Sequence, residues 1–159
     1  APGRRWKLTP TGEQFLQINA PHQVWHLFKT WWTRINWAIY SPFYFNNGYM
    51  PEGFSWYTLE CLLDMPEGKH FPFNEFADPI IKAFGTNLVR ESPEFAQEIL
   101  RNIIKHTVIQ PLVDFGVMQA EFTPHEKWGP EILELTTIWI TPFGASLLKA
   151  MHRLDEADL

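Results

Sequence analysis

Apolar positions recur at helical spacing over several stretches of the chain. Val24, Leu27, Phe28, Trp31 and Ile35 form one stripe at 3.6-residue spacing, which predicts a helix from Pro21 to Ile39 capped by Asn19. Trp25 and Trp32, seven apart, widen that stripe to a second face. A helix apolar around this much of its girth is either buried or pressed against another chain. Ser41 to Phe54 reads as a loop, with Phe43, Tyr44, Phe45, Tyr49 and Phe54 around the turn signal Asn46-Asn47-Gly48. A short helix is predicted from Trp56 to Asp64 with Ser55 as its cap, then a turn over Pro66-Glu67-Gly68-Lys69.

His70-Phe71-Pro72-Phe73 reads as a short edge strand, because its proline cannot donate to a central ladder. Asn74 caps a predicted helix that reaches Phe84 and stops at Gly85. Ser92-Pro93 opens another, with Phe95, Ala96, Ile99, Leu100 and Ile103 on its apolar face. Pro111 is expected to kink or break it after Thr107, and Gly116 to close the helical stretch. Two strands are predicted, Val117 to Phe122 and Leu133 to Ile140, around a turn-rich segment from Thr123 to Pro130. A last helix follows Thr141.

One short pattern occurs twice. Leu8-Thr9-Pro10-Thr11-Gly12-Glu13-Gln14-Phe15-Leu16 aligns with Ile140-Thr141-Pro142-Phe143-Gly144-Ala145-Ser146-Leu147-Leu148. Each copy is an aliphatic residue, then Thr-Pro-x-Gly, then a return to apolar positions. It reads as a strand entering a helix: threonine caps, proline fits the first helical position, and glycine permits close approach of a neighbouring element.

Composition adds bulk and charge asymmetry. The chain has 159 residues, 45% of them hydrophobic, with 8 Trp and 13 Phe. That suits one well-buried domain with an appendage, or a domain with a sticky aromatic surface. Through Arg34 there are five basic residues against Glu13 alone; the remainder has eight basic and seventeen acidic residues. An acidic body argues against phosphate binding as the main task. Cys61 is the single cysteine, which excludes an intrachain disulfide and points to a reducing compartment, the cytoplasm. No stretch approaches the roughly 18–20 apolar residues of a membrane span, and none reads as a signal peptide. The start at Ala1 without methionine, together with the first Thr-Pro-x-Gly copy, leads us to expect a piece of a longer polypeptide.

The order helix, short strand, helix, helix, strand, loop, strand, helix resembles the winged-helix (winged helix-turn-helix) superfamily over Ser55 to Leu148. Pro111-Leu112-Val113-Asp114-Phe115-Gly116-Val117 resembles the third helix entering the first wing strand. Ile140-Thr141-Pro142-Phe143-Gly144 resembles the exit from the second wing strand. The chain is similar to uncharacterised bacterial proteins with several winged-helix units joined at Thr-Pro-x-Gly motifs. The resemblance implies a mainly α (α+β) fold: a winged-helix domain with a two-stranded wing over 55–152, plus an N-terminal aromatic-rich helix and loop over 19–54. It also implies that 1–18 is the remnant of a preceding unit, and it leaves 153–159 as an acidic tail.

Candidate chemistry is sparse. His22 and His26 share a helical face at metal-compatible spacing, but Gln23 follows His22 where a metalloprotease helix needs glutamate, so no metal site is expected. Asp155-Glu156-Ala157-Asp158 spells a helicase magnesium tetrapeptide, yet no phosphate-binding loop GxxxxGK[ST] accompanies it. Cys61 sits in an apolar run that suggests a packed thiol. Neither a GxSxG elbow nor a dinucleotide fingerprint occurs, so no catalytic residue and no cofactor is assigned.

The expected function is therefore a non-enzymatic winged-helix module of a larger protein, working through a protein partner or other domains of the same polypeptide. Trp25, Trp32, Tyr44, Tyr49 and Trp128 are its candidate contact residues, since interface cores favour aromatics. A homodimer stays open as the form of that contact, and no membrane partner is expected. The alternative is a DNA-binding transcriptional regulator, using Arg101, Lys105 and Lys127 for phosphates and Gln97 and Asn102 for bases, with His125 beside them in the wing. A third alternative is an enzyme whose site is assembled from scattered residues.

Overall fold

Threonine and asparagine caps open the first two helices. The computed structural model describes residues 7–35, 37, 50–88, 93–125 and 129–158, and the chain divides into two compact units, one ending at Ile35 and one following it. In the first unit, helix α1 spans Pro10–Gln17 and α2 spans Ala20–Arg34. The Thr9 hydroxyl accepts the Gly12 N–H, and the Asn19 side chain accepts the His22 N–H. Each cap satisfies a donor that the first turn cannot use internally. The Gln23 side chain also donates to the Phe15 and Ile18 carbonyls, tying α2 to the end of α1.

The start of α2 agrees with the capping pattern, but the helix stops at Arg34 rather than Ile39. Its stripe is also rotated from expectation. Phe28, Trp31 and Trp32 are buried in mutual ring contact at 5.5–6.0 Å, whereas Leu27 and Ile35 are exposed. Large rings gain most from burial, so they outcompete the smaller aliphatics for the inward face.

The second unit is mostly helical around a three-stranded antiparallel sheet. Its elements are α3 (Phe54–Leu63), β1 (Phe71–Pro72), α4 (Phe73–Leu88), α5 (Pro93–Ile104), a π-helical segment (Lys105–Ile109), α6 (Gln110–Asp114), β2 (Met118–His125), β3 (Gly129–Ile140) and α7 (Pro142–Asp158). The sheet order is β1-β3-β2, with Phe71 opposite Ile138 and Met118 opposite Ile140. Buried residues from every helix close over it, among them Leu59, Leu62, Ile80, Ile103, Leu112 and Leu148. Among the described residues, no helix is long and apolar enough to cross a membrane.

Several local expectations need correction. Gly53, with φ +76°, occupies the N-cap of α3, so Ser55 lies inside the helix instead of capping it. Helix α4 begins at Phe73, not after Asn74, and runs through Gly85. A Cβ on Gly85 would meet Leu100 at 3.2 Å, so this glycine serves close packing of α4 on α5 rather than helix termination. Pro111 does not break its helix. The ladder widens to a π turn just before it, where the Gln110 N–H donates to the Lys105 carbonyl five residues back. That wider turn lets the helix continue past a residue with no N–H. In the segment expected to be turn-rich, the described residues 123–125 and 129–130 are strand, with His125 opposite Gly129 and bulges at Glu121/Phe122 and Pro124/His125; 126–128 lie outside the described residues.

The helical stretch ends at Gly116, φ +71°, where the Gly116 N–H donates to Val113 and the Val117 N–H to Leu112. This paired arrangement is a Schellman motif, and it buries Leu112 and Val117 as it turns the chain into β2.

Candidate functional site

Helix α5 is where the alternative DNA reading places its contacts. Gln97 and Asn102 are exposed on it. Arg101 is half-buried and donates to an Asp78 carboxylate oxygen at 3.0 Å. The Lys105 ammonium lies 5.3 Å from the centre of the Phe122 ring. Both cations thus have intramolecular partners, one an ion pair and the other a cation–π contact. Next to them, His106 is held below the usual histidine pKa, first by partial burial and then by the Lys105 charge. Lys127 lies outside the described residues, as does the side chain of His125.

The five aromatic contact candidates divide similarly. Trp32 is only 3% exposed, within the ring cluster of α2, so it presents little surface as the fold stands. Trp25 is half-buried on the same helix. Tyr44, Tyr49 and Trp128 lie outside the described residues.

A different set of residues emerges on the first unit. Leu8, Leu16, Ile18, Leu27 and Ile35 are exposed there, and they make up five of the eight large exposed apolar side chains among the described residues. The other three, Phe122, Leu133 and Phe143, are spread over the larger second unit. The sequence contains a signal for two of the five. Leu8 and Leu16 align with Ile140 and Leu148 in the repeated pattern, where those positions are core.

The second unit also carries a stacked pair, His70 on Trp139, with ring centres 4.2 Å apart and planes within 8°. A groove of about 260 Å³ between α3 and α4 has an apolar floor including Met65, Phe71 and Phe76, with Glu60, Asp64 and Glu75 at its rim. Cys61 also lines it. Burial, then the charges of Asp64 and Glu60, push this thiol's pKa up, which keeps it protonated and weakly nucleophilic near neutral pH.

The His22 ring lies 2.6 Å from the Asn19 side chain, so it belongs to the cap of α2. Among the described residues, no three histidine, cysteine or acidic side chains gather as metal ligands. Asp155 to Asp158 continue the backbone of α7. The chain matches no protein-family model, no curated protein and no solved structure.

Proposed function

We propose that this chain is a non-enzymatic, winged-helix-type interaction module that contacts a protein partner through its first unit. The order helix, strand, helix, helix, strand, strand over Phe54–Ile140, with sheet order β1-β3-β2, supports the winged-helix reading. The observation that carries the functional reading is that five of the eight large exposed apolar side chains among the described residues, Leu8, Leu16, Ile18, Leu27 and Ile35, fall in one short helical unit. Such an excess of exposed apolar surface on a small unit favours a role in contacts. The acidic second unit and the single cysteine fit a protein-contact role in a reducing compartment such as the cytoplasm.

The second reading, DNA recognition through α5, has exposed Gln97 and Asn102 in its favour. It requires Arg101 and Lys105 to leave Asp78 and Phe122 for phosphates. Titration of labelled duplex DNA, followed by fluorescence anisotropy at low and at physiological salt, separates the two readings. The protein-contact reading predicts no salt-sensitive binding. Binding that weakens steeply with salt and is lost in Arg101→Glu would put DNA recognition in its place, because such a slope counts phosphate contacts.

A further inference from the structure

Tyr57, Glu60, Cys61 and Asp64 recur at helical spacing along α3 and the residue that ends it, and Glu75, Phe76 and Pro79 do the same on α4. All seven line the groove between the two helices, and its volume is about 260 Å³. Clefts for drug-sized ligands run from roughly 300 to 1,000 Å³, so this one suits a smaller molecule.

The chemistry of the lining favours a cation. Glu60, Asp64 and Glu75 are exposed at the rim, and none of them has an ion pair or a side-chain hydrogen bond among the described residues. No cationic side chain lines the groove; Lys82 lines the hollow that adjoins it beside Tyr57, Glu75 and Pro79. The rim charge is felt inside, where Asp64 and Glu60 add to burial in raising the Cys61 pKa. Tyr57, Phe71 and Phe76 supply rings whose faces attract cations, and Met65 adds a polarizable thioether. A backbone acceptor is also spare. Pro79 lies inside α4 and has no N–H, so the Glu75 carbonyl loses the donor that a regular helix supplies four residues on.

A bare metal ion does not match this lining. Among the described residues, no three carboxylate, histidine or cysteine side chains gather closely enough to ligate one. Carboxylates spread along the rim of an apolar floor match a cation with an apolar body. We propose that the α3–α4 groove binds a small alkylammonium, with its chain on Met65, Phe71 and Phe76 and its ammonium between the rim carboxylates and the Glu75 carbonyl. The site lies wholly in the second unit and does not depend on the contact made by the first.

The test is an NMR titration of the protein with pentylammonium chloride, read at the Met65 methyl and the Tyr57 ring. The expected result is a saturable shift of both. Glu60→Gln and Glu75→Gln, at exposed positions where the fold tolerates the change, should each weaken binding roughly two- to fivefold, as for a partly exposed ion pair. Glu67→Gln, on the turn outside the groove, should leave the affinity unchanged. The neutral isostere 1-pentanol should bind at least about tenfold more weakly, lacking both the charge pairing and the cation–π attraction. No saturable shift, or equal affinity for 1-pentanol, overturns the proposal. So does an equal loss in Glu67→Gln, which would reduce the effect to the net charge of the unit. Magnesium chloride that reproduces the shifts at equal ionic strength would leave only an unselective acidic rim. Tighter binding of Nα-acetyl-lysine N-methylamide than of pentylammonium would give the groove to a lysine side chain and overturn its assignment to a free amine.

Discussion

Gly144 packs directly against the backbone of Val117, and this contact joins the end of the sheet to the start of the last helix. Any side chain at position 144 must displace backbone rather than a flexible side chain. Gly144→Ala should therefore cost at least the ~1–3 kcal/mol typical of overpacking. Gly12→Ala meets only side-chain atoms of exposed Leu8 and Thr9, at 3.3–3.6 Å, and should be neutral or gain up to about 1 kcal/mol from helix propensity. Urea denaturation of the two variants checks the contrast, and equal losses would contradict it.

Two threonines make a second contrast. Thr58 and Thr107 are both fully buried. The Thr107 hydroxyl donates to the Ile103 carbonyl at 2.7 Å, whereas the Thr58 hydroxyl has no hydrogen-bond partner among the described residues. Replacing a satisfied buried hydroxyl costs about 1 kcal/mol, and removing an unsatisfied one costs nothing or stabilises. Thr107→Val should lower the melting temperature, and Thr58→Val should leave it unchanged or raise it.

The Arg101–Asp78 pair is partly solvated, with side chains 33% and 58% exposed. Such pairs contribute roughly 0–1 kcal/mol. Asp78→Asn should destabilise by no more than that. It should also leave DNA affinity unchanged, because freeing Arg101 creates no phosphate site on an acidic body. A gain in duplex affinity measured for Asp78→Asn would argue that the pair masks a DNA-binding cation.

His106 links the same region to pH. Its pKa is depressed in the fold, so the folded state favours the neutral ring. This contribution is fully present above the ordinary histidine value of about 6.5 and is lost as pH falls through the lower folded value. Lys105→Gln removes the second cause of the depression. NMR titration of the ring should show its pKa moving up in that variant while staying below the ordinary value, since burial remains.

The sequence makes local chemistry legible and tertiary environment largely illegible. The caps at Thr9, Asn19 and Thr141 can be read because each uses a side chain within three residues of the donor it satisfies. The turn at Gly116 can be read for the same reason. Gly85 is misleading because its partner, Leu100, lies on another helix. The π turn before Pro111 is hidden because proline's effect depends on whether the surrounding core holds the helix together. The site shows the same limit. Leu8 and Ile140 occupy matching positions in the repeat, yet one is exposed and the other core, and only the neighbouring chain decides which. Arg101 and Lys105 read as free cations until Asp78 and Phe122 fold against them.

The central claim is that the first unit's apolar surface, and not α5, engages the partner. Leu16 and Leu27 are exposed, so Leu16→Glu/Leu27→Glu should preserve the fold, as circular dichroism would verify. The decisive measurement compares proteins retained from native extract by immobilised wild type, by this double variant and by Arg101→Glu/Lys105→Glu. The account predicts a specific protein retained by wild type and by the Arg101/Lys105 variant but lost by the Leu16/Leu27 variant. Retention that survives the leucine changes and is lost with the Arg101 and Lys105 charges would contradict it.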